Sequence, residues 1–305
     1  SRFLTYALLY QRNYDLVREA FKSGDDQIDI PETYKFYVNY PEVSAELDGE
    51  TTLPVKNTRF MAVLGTDTLT VLLDTGGSGV GINQTWVETY DLPFDSTISS
   101  GGSLPFVDNA TFIKHPVMIP ELRIGSMTLK NVPAEYSKFD EENQKKLDAV
   151  DLPHFDIIMG LDTFIGLIGE VELNWIDETI TFRKAPTLTK GVPFLFYSSK
   201  PFTAFSVDDQ YLTTVIDTGS PTDMIRKEYY MNNYTKAEEK NYNQYTYTEY
   251  TVPIVVNDST TLDLKIGDYT GGIDLTLSDV PVELLIGFNH NHMTFNLVDN
   301  LLIVQ

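Results

Sequence analysis

The chain contains no cysteine. Disulfide frameworks, zinc–thiolate sites and cysteine nucleophiles are therefore excluded, while the compartment stays open, since a cysteine-free chain suits cytosol and periplasm equally. It is also poor in basic residues. Lys and Arg number 22 against 44 Asp and Glu, for a net charge of −22 and a pI near 4.4. Phosphate backbones and anionic membrane surfaces both demand clustered Lys and Arg, so neither nucleic acid nor a lipid surface is an expected partner. No apolar run approaches the roughly 18 residues that a membrane-spanning helix requires. Histidine is scarce, at four residues. His290 and His292 would share one face of a strand, but no third ligand is visible, so neither a metal nor a cofactor is expected. Ser1 opens the sequence without a basic-then-apolar leader. The expectation is that a signal segment was removed or the sequence trimmed, with the protein acting in an extracytoplasmic space, periplasm or cell surface.

What the chain does have is length and a repeat. Its 305 residues, 42% of them hydrophobic, suffice for two domains or one large one, each with a real core. The first copy of the repeat reads FMAVLGTDTLTVLLDTGGSGVGI from Phe60 to Ile82. The second reads FTAFSVDDQYLTTVIDTGSPTDMI from Phe202 to Ile225. Both are β-rich apolar runs broken by a polar turn, at Gly65-Thr66-Asp67 and Asp208-Asp209, and both deliver Asp-Thr-Gly to a tight turn. The parallel continues downstream. Glu121-Leu-Arg-Ile-Gly125 ends 51 residues past Asp74, and Asp263-Leu-Lys-Ile-Gly267 ends 50 past Asp217. Ile157-Ile-Met-Gly160 is matched by Leu284-Leu-Ile-Gly287, and Asn174-Trp-Ile-Asp177 by Asn296-Leu-Val-Asp299. A lone Asp-Thr-Gly carries little weight, but four landmarks repeated in one order indicate a duplicated lobe.

The copies differ in length between Asp-Thr-Gly and the later Gly: 86 residues from Asp74 to Gly160 in the first, 70 from Asp217 to Gly287 in the second. The excess falls around Glu135–Pro153 and includes the charged run Lys138–Lys146, read as a solvated loop or short surface helix. Residues 1–50 have no counterpart in either copy. Leu4 to Phe21 carries apolar residues near helical spacing, and Pro41 to Pro54 reads as a linker. The expected organisation is a helical segment and linker over 1–50, a first lobe over 51–190 and a second over 191–305.

Two Asp residues on matching turns of two similar halves face one another across a pseudo-twofold axis. Carboxylates a few ångströms apart cannot both ionise cheaply, so the pair shares one proton and titrates as a unit. Such a dyad can hold a water, take a proton from it with one carboxylate and give a proton to a carbonyl oxygen with the other. The neighbours suit this chemistry. Gly76 and Gly219 allow the backbone to turn sharply and to approach the carboxylates. Thr75 and Thr218 can bond across the axis to the opposite backbone. Ser220 offers a hydroxyl to Asp217 at the position where Gly77 offers Asp74 none.

These residues resemble the two lobes of pepsin- and retropepsin-like aspartic proteases. In detail, Ile119 to Pro133 and Phe155-Asp-Ile-Ile-Met-Gly-Leu-Asp162 are similar to the retropepsin-type domain of bacterial secreted aspartyl proteases. The resemblance covers Val55 to Gln305. It implies a mainly β, bilobal acid-protease fold with a short helical N-terminal segment, a cleft between the lobes and a flap hairpin over it. It also implies an aspartic-type endopeptidase with Asp74 and Asp217 as the catalytic pair, supported by Thr75, Gly76, Thr218, Gly219 and Ser220. The flap falls on Ser99, Ser100, Gly101, Gly102 and Ser103, without the Tyr of pepsin flaps, and in the second lobe on Tyr242–Tyr250. Gly77 departs from the Ala or Ser usual after the first Asp-Thr-Gly. The expected partner is a peptide or protein substrate, and two lobes in one chain lead to the expectation of a monomer. The alternative is a protease-like protein that binds peptides or partners without cleaving them.

Overall fold

The computed structural model describes residues 32–104, 110–149, 155–197, 199–207, 210–220, 223–226, 259–266, 269–278, 283–287 and 292–304. In chain order its strands begin with β1 (Ser44–Glu46), β2 (Glu50–Pro54), β3 (Arg59–Leu64), β4 (Asp67–Leu73), β5 (Val80–Ile82), β6 (Ser100–Leu104), β7 (Ala110–Ile124), β8 (Met127–Lys138) and β9 (Ile157–Met159). They continue with β10 (Glu170–Asn174), β11 (Thr179–Arg183), β12 (Val192–Pro193), β13 (Leu195–Tyr197), β14 (Lys200–Val207), β15 (Gln210–Ile216) and β16 (Asp223–Arg226). The last are β17 (Ser259–Ile266), β18 (Tyr269–Ser278), β19 (Leu284–Ile286), β20 (His292–Asn296) and β21 (Leu301–Val304). Short helices are α1 (Glu32–Tyr37), α2 (Gln84–Thr89) and α3 (Glu141–Asp148).

Period-two patterning makes the strands. In β3 the side chains of Phe60, Ala62 and Leu64 are buried while Met61 between them is half exposed, and in β4 Leu69, Val71 and Leu73 are buried completely. The β3–β4 turn is closed by Tyr90, whose hydroxyl donates to Asp67 Oδ2 at 2.6 Å and accepts from the N–H groups of Thr66 and Asp67. Gly65 has φ +58°, and a Cβ there would lie 2.3 Å from the Tyr90 ring, so the turn needs glycine for both reasons.

The duplication read in the sequence is a duplication of topology. In the first lobe β4 pairs in parallel with β9, β9 antiparallel with β5, and β5 in parallel with β8. In the second lobe β15, β19, β16 and β18 repeat those pairings with the same orientations. Each hairpin also closes onto the later strands of its own lobe, by Val63 opposite Arg123 and by Ser206 opposite Lys265. The protein is thus mainly β and two-lobed.

A six-stranded sheet, in the order β12-β21-β20-β10-β11-β2, joins the lobes. Its central pair is β10 against β20, antiparallel, with Leu173 opposite Met293. The two Asn-x-x-Asp landmarks are matching turns of this sheet. Asn174 Oδ1 accepts from the N–H groups of Ile176 and Asp177, and Asn296 Oδ1 accepts from those of Val298 and Asp299. Phe182, Leu173, Met293 and Phe295 place the apolar core under the junction.

The stretch expected to be a linker, Pro41 to Pro54, carries β1 and β2. The first lies beside β8 and the second covers β11 at the edge of the joining sheet, where buried Thr51 also takes the Ser126 N–H. Three polar residues and an exposed Pro hid this strand, because its partner lies about 130 residues away in the chain. The charged run leaves the end of β8 at Lys138 and enters a short surface helix, α3, capped by Asp140, which accepts from the Asn143 N–H at 2.8 Å. Residues Leu4–Phe21, Asp208-Asp209, Tyr242–Tyr250 and His290 lie outside the described residues.

Candidate active site

Each Asp-Thr-Gly turn is hung from its lobe by one backbone bond and closed on itself by another. The Asp74 N–H donates to the Met159 carbonyl and the Asp217 N–H to the Ile286 carbonyl, at 2.9 and 2.8 Å. Three residues on, the Gly77 and Ser220 N–H groups return to the carbonyls of Asp74 and Asp217. The apolar strands ending in Gly160 and Gly287 therefore serve as rails that bring both turns to the same depth.

Across the axis the turns grip one another. The Thr75 N–H donates to Thr218 Oγ1 at 3.1 Å and the Thr218 N–H to Thr75 Oγ1 at 3.0 Å. The two hydroxyls then donate outward, Thr75 to the Ile216 carbonyl and Thr218 to the Leu73 carbonyl, both at 2.8 Å. Both threonines are fully buried. A hydroxyl that accepts one bond and donates another is satisfied in both roles, and serine is the one other residue type with the same reach.

The glycines are packed crosswise on the carboxylates. A Cβ on Gly76 would lie 2.2 Å from Asp217 Cγ, and one on Gly219 would lie 2.7 Å from Asp74 Cγ. The Gly219 position is also 2.7 Å from Asp74 Oδ1 and 3.0 Å from Asp217 Oδ1, so these two oxygens are less than about 6 Å apart. The structure thus brings Asp74, Thr75, Gly76, Asp217, Thr218 and Gly219 into one cluster, with both Asp side chains partly open. Asp74 Oδ1 accepts from the Gly77 N–H and Asp217 Oδ1 from the Gly219 N–H, each at 2.9 Å. Backbone donors of this kind favour the ionised form of a carboxyl. Ser220 is buried.

Ser100–Leu104 forms β6, antiparallel to the start of β7, with Gly102 closed over by the Phe112 ring. Ser99 precedes it. This hairpin is pinned to α3, since the Thr111 N–H donates to Asn143 Oδ1 at 3.0 Å and Asn143 Nδ2 to Thr111 Oγ1 at 3.1 Å. His292 lies away from the dyad on β20, with Nε2 2.9 Å from Glu172 Oε1. Among the described residues, no group of three His, Asp or Glu is placed to hold a metal, and no helix is long and apolar enough to cross a membrane.

Sequence reasoning passed over Lys200. It is 9% exposed, and its ammonium donates to the Gly76 carbonyl. The signal was the register of the repeat. Phe202 matches Phe60, so Lys200 occupies the place of Thr58, where a charge stands in for a neutral residue.

Residues 61–163 match a family model described as Aspartyl protease. That stretch lies within the first lobe and includes Asp74-Thr75-Gly76. No curated protein sequence matches the chain. Among solved structures, the crystal structure of Basic 7S globulin from soybean resembles it at 11% identity with a TM-score of 0.48, covering 84% of this chain and 96% of that one. By sequence, the first lobe is similar to aspartyl proteases.

Proposed function

We propose that the chain is an aspartic endopeptidase in which Asp74 and Asp217 activate a water against a peptide carbonyl. The observation that carries this reading is the crosswise packing of Gly76 and Gly219 on the opposite carboxylates, locked by the reciprocal threonine bonds. It sets two carboxyl groups close together in a partly open site, where like-charge repulsion keeps one proton between them. The match of residues 61–163 to aspartyl proteases supports the same chemistry.

In that reaction the ionised carboxylate takes a proton from the water as its oxygen bonds to the peptide carbon. The protonated carboxyl gives its proton to the carbonyl oxygen, forming a neutral tetrahedral diol. Collapse of the diol breaks the C–N bond, with a proton passing through the dyad to the departing amine, so one water is consumed and the pair returns to its starting state. The substrate is a peptide or protein, held extended across the site by its backbone as an added strand.

The test uses Asp74→Asn and Asp217→Asn on an internally quenched peptide library at acid pH. Each is expected to lose at least about a thousandfold in kcat/KM with an unchanged melting profile. Cleavage retained in either variant would overturn the reading. A wild-type protein that binds peptides and cleaves none would favour a non-hydrolytic partner-binding role.

A further inference from the structure

The proposed dyad is nearly symmetric in its backbone and its threonines, and a symmetric pair has no reason to prefer one carboxylate for the charge. Lys200 breaks that symmetry. It is the first residue of β14, buried to 9% exposure, and its ammonium donates to the carbonyl of Gly76. Gly76 is the residue whose Cα faces the Asp217 carboxylate, since a Cβ there would lie within 2.5 Å of both its oxygens. Ordinary bond lengths then place the ammonium within about 9 Å of that carboxylate. The first-lobe counterpart, Thr58, is buried and neutral. A buried ammonium is expensive unless hydrogen-bonded and set among negative charge.

Resting on the protease reading, we propose that Lys200 is a positioning residue that biases the two-carboxylate site toward its singly ionised state. It acts in two ways. Its hydrogen bond fixes the carbonyl of the first turn and so holds Gly76 against Asp217. Its charge favours a negative site over a doubly protonated one. Among the described residues, the acidic groups that face it are Asp217 and Asp74 on the two turns, and the 3-10 turn Leu161–Phe164 packed against β14 carries Asp162, whose Oδ1 takes the Gly79 N–H. On the neighbouring strand Tyr197 is paired with Lys200. A cation lowers the pKa of nearby carboxyls, so its removal raises both macroscopic values of the dyad. At about 9 Å and an effective dielectric near 20, the effect is about one pH unit.

The variants are Lys200→Met and Lys200→Gln, both neutral and the second still offering a hydrogen-bond donor on a shorter side chain, with Lys200→Arg restoring the charge. Two readouts separate this inference from the protease reading. Carbon-13 NMR titration of the Asp carboxyl carbons needs no turnover. The expected result is an upward shift of about one unit in the dyad in both neutral variants, reversed in Lys200→Arg. In peptide cleavage, the acid and basic limbs of the kcat/KM profile move together to higher pH. Unshifted carboxyl titrations in a folded neutral variant would overturn the role of Lys200, whether or not the protein cleaves peptides. A lowered kcat with unmoved limbs would likewise reduce it to a packing residue. Absence of cleavage by wild type with the titration shift intact would overturn the protease reading and leave Lys200 as the charge-setting group.

Discussion

Thr75 and Thr218 hold each other, the backbone N–H of each donating to the hydroxyl of the other across the junction of the two lobes. The consequence is that neither turn is satisfied alone. Removing one hydroxyl orphans the opposite N–H and a carbonyl beneath the carboxylates, where both threonines are fully buried, and each orphan costs about 1–3 kcal/mol. Thr75→Val, nearly the same shape, is therefore expected to lower unfolding free energy by about 2–4 kcal/mol and to depress activity more than stability alone explains. Thr75→Ser keeps both bonds and should stay near wild type. Denaturant unfolding of the two variants checks this. Equal stability for Val and Ser would show that the bonds are not made in solution.

The three glycines after the two Asp residues are not equivalent. At Gly76 a methyl would overlap Asp217 Cγ at 2.2 Å, and at Gly219 it would press on Asp74 at 2.7 Å. At Gly77 the nearest atoms are at 3.1–3.3 Å, all belonging to Asp74, and a small shift accommodates it. Gly76→Ala and Gly219→Ala should displace a carboxylate and cost at least about a hundredfold in kcat/KM. Gly77→Ala should remain within about tenfold of wild type. Peptide cleavage rates for the three variants decide the point. Comparable losses at all three positions would mean that the crosswise packing is not what matters.

The contrast between these glycines also shows where the sequence was readable. Asp-Thr-Gly, Asn-x-x-Asp and the apolar-Gly strands are local signals whose spacing repeats, so the lobes and the pairing of Thr75 with Thr218 followed from aligning one half on the other. Strand β2 and Lys200 did not follow. β2 is a strand because β11 offers it an edge, and Lys200 is buried because the other lobe's turn lies over it. Both depend on contacts more than 100 residues apart, and no window of sequence contains them. Lys200 was nonetheless recoverable by asking which aligned positions differ in charge.

The paired Asn turns give an internal comparison. Asn174 makes three bonds, to Asp177 Oδ2 and from the N–H groups of Ile176 and Asp177, at the solvent edge. Asn296 makes the same three and adds a fourth, its Nδ2 donating to the Leu188 carbonyl at 2.7 Å, and it is fully buried. Asn296→Ala is expected to cost about 2–4 kcal/mol and Asn174→Ala about 1 kcal/mol. Urea midpoints of the two variants test the order. A larger loss at Asn174 would contradict it.

Glu170 should govern how the joining sheet fares in acid. It is fully buried on β10. Its Oε2 accepts from the N–H groups of Thr187 and Leu188, and its Oε1 from Thr187 Oγ1 and Arg183. Burial alone would raise its pKa, but the hydrogen bonds from Leu188 and Thr187, with Arg183, outweigh it and hold the carboxyl below its ordinary value. Arg183 is shared with Glu172 and Glu50, which raise its own pKa against the cost of burial. The sign follows from linkage. A carboxyl whose pKa is depressed in the folded state stabilises fully above its unfolded pKa, near 4.3, and that contribution fades as pH falls through the folded value. Glu170→Gln keeps the shape and removes the charge. It is expected to cost about 2–3 kcal/mol at neutral pH, less than for an isolated buried pair because Arg183 keeps two other carboxylates. It should also flatten the fall in stability below about pH 4, so that wild type and variant converge in acid. Guanidinium unfolding at neutral pH and in the acid range measures both effects. Curves that stay parallel as pH falls would mean that Glu170 carries no differential charge, and that another carboxylate sets the acid limit of the fold.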